Sequence, residues 1–175
     1  MTDIDGWVAF VGAGPGDDGL LTMRAVRLLA AASLVVAEPE LAERVSHLLA
    51  EDVQLAEPAD VTGTAKMLAV AAKAGQLAVR LFPGDPLLSG AAAEVQACAK
   101  AKARFEIVPG VAAVTGTPAY AGIALTGDAP GELRIIHANE ASRVAYGAGT
   151  LVIMGAETAP ADLGKMLIEI GRAHV

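Results

Sequence analysis

Short apolar runs alternating with helix-period segments predict an α/β fold, with a five-stranded, mainly parallel sheet covered by helices on both faces. Three observations carry this. Leu77–Phe82 is an apolar run of strand length, and the turn cluster Pro83-Gly84-Asp85-Pro86 follows it at once. An alanine-rich helical pattern and a second run, Phe105–Val108, complete a strand–loop–helix–strand unit of the kind that joins parallel strands. The chain opens the same way, with Trp7–Val11, then Gly12-Ala13-Gly14-Pro15-Gly16-Asp17, then a helical pattern over Thr22–Ala32.

The loop after the first strand is not a dinucleotide fingerprint, because its third glycine comes one residue early and follows a proline. It is not a P-loop either, since Pro15 has no N–H and no Gly-Lys-Ser/Thr follows. A glycine loop that favours close backbone contact over phosphate capture suits a nucleoside-like ligand without phosphate. Loops at the carboxyl ends of parallel strands bind ligands. Pro83-Gly84-Asp85-Pro86 is therefore a candidate ligand loop, with a simple turn as the alternative.

Ser33–Ala37 reads as the second strand, stopped at Glu38-Pro39, and Pro39 can open the next helix at its first turn. Leu41–Ala50 is helical and Val53–Leu55 is a brief third strand. Thr62 or Thr64 is expected to cap a helix that runs to Ala74 and ends at Gly75. Gly110–Thr126 reads as a helix and connection. A second alternation follows: strand Leu133–His137, helix Glu140–Tyr146, strand Thr150–Met154 and helix Ala161–Ile168. The expected organisation is an α/β domain over residues 1–109, a connecting segment over 110–128 and a second α/β domain over 129–169. That second stretch falls below the usual lower bound of about 50 residues for a domain. Residues 170–175 match the translation of a common sequencing adapter and are expected to be foreign, His174 included.

In 175 residues, 54% are hydrophobic and only 3% aromatic, so Ala, Val and Leu must build the core. A net charge of −7 without a basic stripe argues against a nucleic-acid partner. No apolar run reaches membrane-spanning length and no signal peptide is seen, so a soluble, cytoplasmic protein is expected. Cys98, the sole cysteine, is expected to be a buried structural thiol. His47, His137 and His174 show no ligand spacing, and no metal site is assigned.

The segments VGAGPGDDGLLTMRAVRLLAAASLVV, VRLFPGDPLLSGAAAEV, FEIVPGVAAV and PAYAGIALT resemble the tetrapyrrole methylase family. The nearest members are uroporphyrinogen-III C-methyltransferases. The resemblance runs over nearly the whole chain, in the expected order. It is also similar to the N-terminal region of actinobacterial fusions that carry a uroporphyrinogen-III synthase. It implies a two-domain fold whose second domain continues past the strands seen here. It implies S-adenosylmethionine as methyl donor, bound between the domains largely through backbone. It further implies a tetrapyrrole substrate, most closely uroporphyrinogen III, and a homodimer. A precorrin methyltransferase and a non-catalytic methylase-like domain are the alternatives.

Residue by residue, the resemblance places Gly14 and Pro15 at the cofactor. Pro83, Gly84 and Asp85 match a Gly-Gly-Asp loop, with Pro83 lacking one N–H. Leu88 matches an apolar position beside the adenosine. Ala112 and Ala113 match a Thr-Ala pair whose hydroxyl is missing here, and Met154 matches the methionine of a Tyr-Met-Gly motif. For Leu88, Ala113 and Met154, core packing is the alternative role. On the substrate side a Tyr-Asp-Arg becomes Ala37-Glu38-Pro39, which leaves Glu38 as the candidate catalytic carboxylate without its arginine. An expected Gly-Lys-Arg has no counterpart between Val53 and Asp60, and a Thr-His-Arg becomes Thr126-Gly127-Asp128. These changes all remove positive charge from a site for a polycarboxylate.

Overall fold

The computed structural model describes residues 6–127, 131–143, 149–155 and 160–169. The chain divides into two compact units, Met1–Ala113 and Val114–Val175.

In the first unit successive strand residues face opposite sides, and both sides are apolar, as a sheet covered twice requires. β1 (Trp7–Gly12) lies between β4 (Leu77–Phe82) and β5 (Phe105–Val108), and β2 (Leu34–Val36) and β3 (Gln54–Ala56) continue beyond β4. The order is β3-β2-β4-β1-β5, with every pairing parallel. On one face Val8, Phe10, Ala78 and Phe82 pack against α3 (Val61–Lys73) and α4 (Ala92–Lys100), through Leu68, Ala72 and Cys98. On the other, Ala9, Val11, Val79 and Leu81 pack against α1 (Met23–Ala31) and α2 (Pro39–Val45), through Ala25, Leu29, Leu41 and Val45. With few aromatics, Phe10 anchors the first face by contacts to Phe82 and, edge-on, to Phe105.

The first two α-helices start as the sequence implies. Thr22 caps α1, its hydroxyl accepting from Ala25 N at 3.1 Å, and Pro39 opens α2. Gly75 ends α3's connection at φ +82°, a conformation natural to glycine. Two boundaries differ. The cap of α3 is Asp60, whose Oδ1 accepts from Gly63 N at 2.6 Å. Thr64 is buried and its hydroxyl turns back to Ala59 N at 2.9 Å, so the helix starts before either threonine. The helix expected over Leu41–Ala50 tightens after Val45 into a 3-10 turn, Ser46–Leu48. Cys98 is fully buried, as expected of a structural thiol, and burial with the nearby Glu94 charge pushes it up to about 11.

In the second unit α5 (Ala113–Ala121) carries Pro118 inside it, and β6 (Leu133–His137) pairs in parallel with β7 (Thr150–Met154). Ala138–Arg143 forms a 3-10 helix where an α-helix from Glu140 was expected. Asn139 Oδ1 contacts the His137 ring at 3.2 Å, a local bond that competes with helical pairing. α6 spans Pro160–Glu169. Tyr146, Asp128 and the 170–175 tail lie outside the described residues. Among the described residues no helix is long and apolar enough to cross a membrane.

The cap assignment is directly testable. Asp60→Ala is expected to lower unfolding free energy by about 1 kcal/mol, whereas Thr62→Ala should change it by less than about 0.5 kcal/mol. Urea denaturation of both variants checks this, and the reverse order would return the cap to the threonine.

Candidate functional site

β1 and β4 are neighbours, but the helices that follow them leave to opposite faces of the sheet. The crevice between their carboxyl-end loops is therefore a topological switch point. The two glycine loops meet there. Gly14 N donates to Gly84 O at 3.2 Å and Gly84 N donates to Gly14 O at 2.8 Å. Both residues hold positive φ, +69° and +62°, which a side chain would resist. The end of β5 closes on the same point. A β-carbon on Gly12 would stand 2.5 Å from Gly84 O and 2.6 Å from Gly110 N, and one on Gly110 would overlap Gly84 O. Only bare backbone lets three strand ends converge in this way.

Asp85 ties two of the loops together. Its Oδ1 accepts from Leu87 N at 2.9 Å and its Oδ2 from Gly110 N at 3.1 Å. The Ser89 hydroxyl donates to Pro83 O, and Arg44 of α2 donates to Ala13 O at 2.8 Å. The loops are thus braced from within before any ligand arrives.

Most of the sequence candidates gather on this edge of the first unit. Gly14 and Gly84 are paired, Pro15 is half-buried beside them and Pro83 is exposed. Ala113 N and Ala112 Cα lie 3.5 and 3.7 Å from where a Gly84 β-carbon would stand. Leu88 is 43% exposed and Ala113 is exposed, so core packing is not their role. Met154 is half-buried at the carboxyl end of β7 in the second unit.

The donors on this edge suit a ligand without phosphate. Gly14 and Gly84 spend their N–H groups on each other, Gly110 spends its own on Asp85, and Pro15 and Pro83 have none. Beside these the edge offers apolar surface at Leu88 and Ala113 and a tightly shaped backbone.

Glu38 stands just past the end of β2, and its carboxylate is gripped by Arg80 of β4. Arg80 Nη2 donates to Glu38 Oε1 at 3.0 Å and Nη1 to Oε2 at 3.3 Å. On its other side Arg80 Nε donates to Glu94 Oε2 at 3.0 Å and Nη2 to Glu94 Oε1 at 3.4 Å. Nη1 also donates to Leu81 O at 2.8 Å, and the guanidinium lies 4.3 Å from the Phe82 ring centroid. Burial raises the Glu38 pKa, but the Arg80 hydrogen bonds and charge outweigh it and hold the carboxyl below its ordinary 4.5. Burial acts against the charge of Arg80 too, and its two carboxylates more than restore it.

The sequence reading passed over Arg80, Glu94, Gly12 and Gly110. Arg80 had a signal, because an arginine in the middle of the apolar strand LAVRLF must find buried partners. The arginine missing at position 39 leaves Glu38 paired all the same, from another strand.

A parallel α/β unit with glycine loops braced at its switch point is the architecture of a nucleoside-binding enzyme domain. Residues 8–175 match the family of Tetrapyrrole (Corrin/Porphyrin) Methylases, and the chain belongs to that family. It is 42% identical over 130 residues to Siroheme synthase 1 of Klebsiella pneumoniae, covering 69% of this chain and 28% of that one. It is 35% identical to Siroheme synthase 1 of Yersinia enterocolitica, covering 96% of this chain and 39% of the other. The chain thus spans less than two-fifths of the length of these relatives. The uroporphyrin-III C-methyltransferase of Thermus thermophilus, solved with S-adenyl homocysteine, superposes with a TM-score of 0.70 at 30% identity, covering 96% of this chain and 74% of that one. A cobalt precorrin-4 methyltransferase has the same fold, with a TM-score of 0.73 at 21% identity, over 97% of this chain and 76% of that one.

Gly110→Ala is expected to cost about 1–3 kcal/mol or more, because the new methyl meets backbone that cannot yield. Equilibrium unfolding measures it, and a neutral result would mean the three strand ends are not locked. Arg80→Met should destabilise by about 3–5 kcal/mol at pH 7, since it leaves buried carboxylate unpaired, and Arg80→Met with Glu94→Leu should recover part of the loss. The Glu38 contribution has the depressed-carboxylate sign: full above its unfolded value near 4.5 and lost as pH falls through the lower folded value. Wild-type stability should therefore drop more steeply below pH 4.5 than that of Glu38→Gln.

Proposed function

We propose that this chain is part of a tetrapyrrole C-methyltransferase that uses S-adenosylmethionine, with uroporphyrinogen III as the substrate best supported. The observation that carries it is the braced switch point, where Gly14 and Gly84 pair with each other, in a chain of the tetrapyrrole methylase family. The relatives named as siroheme synthases and the uroporphyrin-III C-methyltransferase solved with S-adenyl homocysteine support the substrate and the cofactor. Likeness to the precorrin-4 enzyme, at 21% identity, speaks for the fold alone. A homodimer in the cytoplasm belongs to the same reading.

In this reading Pro15 and the Pro83-Gly84 backbone hold the cofactor by shape, and Leu88 offers the adenosine an apolar contact. Asp85 acts by fixing the loop, since both its oxygens already accept backbone N–H groups. Ala112 and Ala113 flank Gly84, and Met154 is the second unit's candidate contact. S-adenosylmethionine supplies an electrophilic methyl on a sulfonium. The residues of the chain supply position, and holding reactants in contact geometry is worth several kcal/mol of barrier. Glu38 is the carboxylate that faces substrate. Held below its ordinary range by Arg80, it is a weak base and a strong hydrogen-bond acceptor.

The charge of the site favours slow turnover of a polycarboxylate. One guanidinium between two carboxylates leaves Arg80, Glu38 and Glu94 with one net negative charge, so Arg80 does not replace the basic residues missing elsewhere. Each unmade charge-assisted hydrogen bond costs about 1.5–3 kcal/mol, and several together lower catalytic efficiency by more than about a hundredfold.

Calorimetry with S-adenosylhomocysteine at millimolar concentration is expected to show binding, weakened in Gly84→Val, where φ +62° disfavours a branched side chain. No heat and no thermal shift would remove the methyltransferase reading. Anaerobic turnover with labelled S-adenosylmethionine and uroporphyrinogen III should run far below that of an intact family member. Equal rates would show that the lost basic residues do not matter.

A further inference from the structure

Every donor of the Arg80 guanidinium is committed. An arginine has five N–H groups. Nε–H goes to Glu94 Oε2, the Nη2 pair to Glu38 Oε1 and Glu94 Oε1, and the Nη1 pair to Glu38 Oε2 and Leu81 O. The Arg80 side chain is 5% exposed and Glu94 11%, whereas Glu38 is 50% exposed. The cluster is therefore a directed device. Its cation and one anion are sealed under the sheet edge, and its second anion emerges with lone pairs to spare.

We infer that Arg80 is the positioning residue of the site, holding the Glu38 carboxylate in one orientation as an ionised acceptor at the carboxyl edge, with Glu94 as its own anchor. The inference rests on the function proposed above and deepens it. The two-point contact sets the plane of the carboxylate as well as its charge, because a fork meets both oxygens. Backbone carbonyl contact and the Phe82 face fix the fork itself. The guanidinium has no donor left for substrate, so Arg80 acts only through Glu38. The partner that Glu38 suits is a neutral N–H donor, such as a pyrrole nitrogen of the macrocycle. Its charge repels the substrate's carboxylates.

Lysine keeps the charge but cannot form the fork. The first test follows the Glu38 carboxyl carbon by NMR across an acid titration. Arg80→Lys, and Arg80→Met with Glu94→Leu as a variant without the buried pair, are each expected to move the Glu38 midpoint upward. An unmoved midpoint in a folded variant overturns the inference, whether or not the chain binds cofactor. The second test is a double-mutant cycle in methyl transfer to uroporphyrinogen III. Arg80→Lys should lower kcat and leave the KM for S-adenosylmethionine unchanged, and Arg80→Lys with Glu38→Gln should be no slower than Glu38→Gln alone. A further tenfold loss in the double variant would mean that Arg80 acts on substrate directly, and would also overturn the inference. Failure of wild type to bind S-adenosylhomocysteine counts against the proposed function instead, and the titration then decides the role of Arg80.

Discussion

The approach of three backbones at Gly12, Gly84 and Gly110 is the constraint on which the rest of the first unit depends. Parallel strands sit about 4.8 Å apart, and their loops normally diverge. Here the loops after β1, β4 and β5 turn inward, and Gly84 O lies where a β-carbon of either other glycine would go. Each hydrogen bond in the bridge is worth only about 1 kcal/mol net. Steric exclusion is the stronger term, because overlap with backbone has no side chain to push aside. The result is a ligand edge formed in advance, so binding need not order it.

Arg80 solves a second problem on the same strand. It lies between Ala78 and Phe82 on the face packed by α3 and α4, where a lone cation would cost several kcal/mol. Two carboxylates, a carbonyl and an aromatic face compensate it, and the residual negative charge appears at Glu38, the exposed member. Core and site are thus linked. The burial that threatens β4 is what fixes Glu38 in a two-point contact, and a change at Glu94, in the first turn of α4, reaches the carboxyl edge through one side chain. In the same neighbourhood Cys98 is held as an inert thiol by burial and by the Glu94 charge.

Much of this was legible in the sequence. β4 and β5 were readable to the residue because Pro83 and Pro109 stop them, and β7 because Gly149 and Gly155 flank it. The order of strands was not readable, because β4 inserts between β1 and β2 by choosing its neighbours through packing. The cap of α3 is ambiguous in sequence because Asp60, Thr62 and Thr64 all have capping side chains; the bond from Gly63 N to Asp60 Oδ1 and the burial of Thr64 decide among them. The glycine loops were found, but their bareness was assigned to a ligand. The structure spends it first on loop against loop. Asp85 was matched to a cofactor contact, and its carboxylate turns out to serve Leu87 and Gly110. Periodicity cannot reveal such a bond, which spans 25 positions.

The engaged donors also bear on specificity. A ligand is rejected when its polar groups lose water and find no partners, at a cost of several kcal/mol for a charged group. A nucleotide at this edge would bring phosphate to two prolines and to three glycines whose N–H groups are already bonded. A nucleoside sulfonium brings a neutral sugar and base and a positive centre, and the Arg80 cluster of the first unit presents its net negative charge at Glu38. Pairing the glycine loops with each other therefore does two things at once. It braces the carboxyl edge before a ligand arrives, and it engages glycine N–H groups that a phosphate would otherwise use.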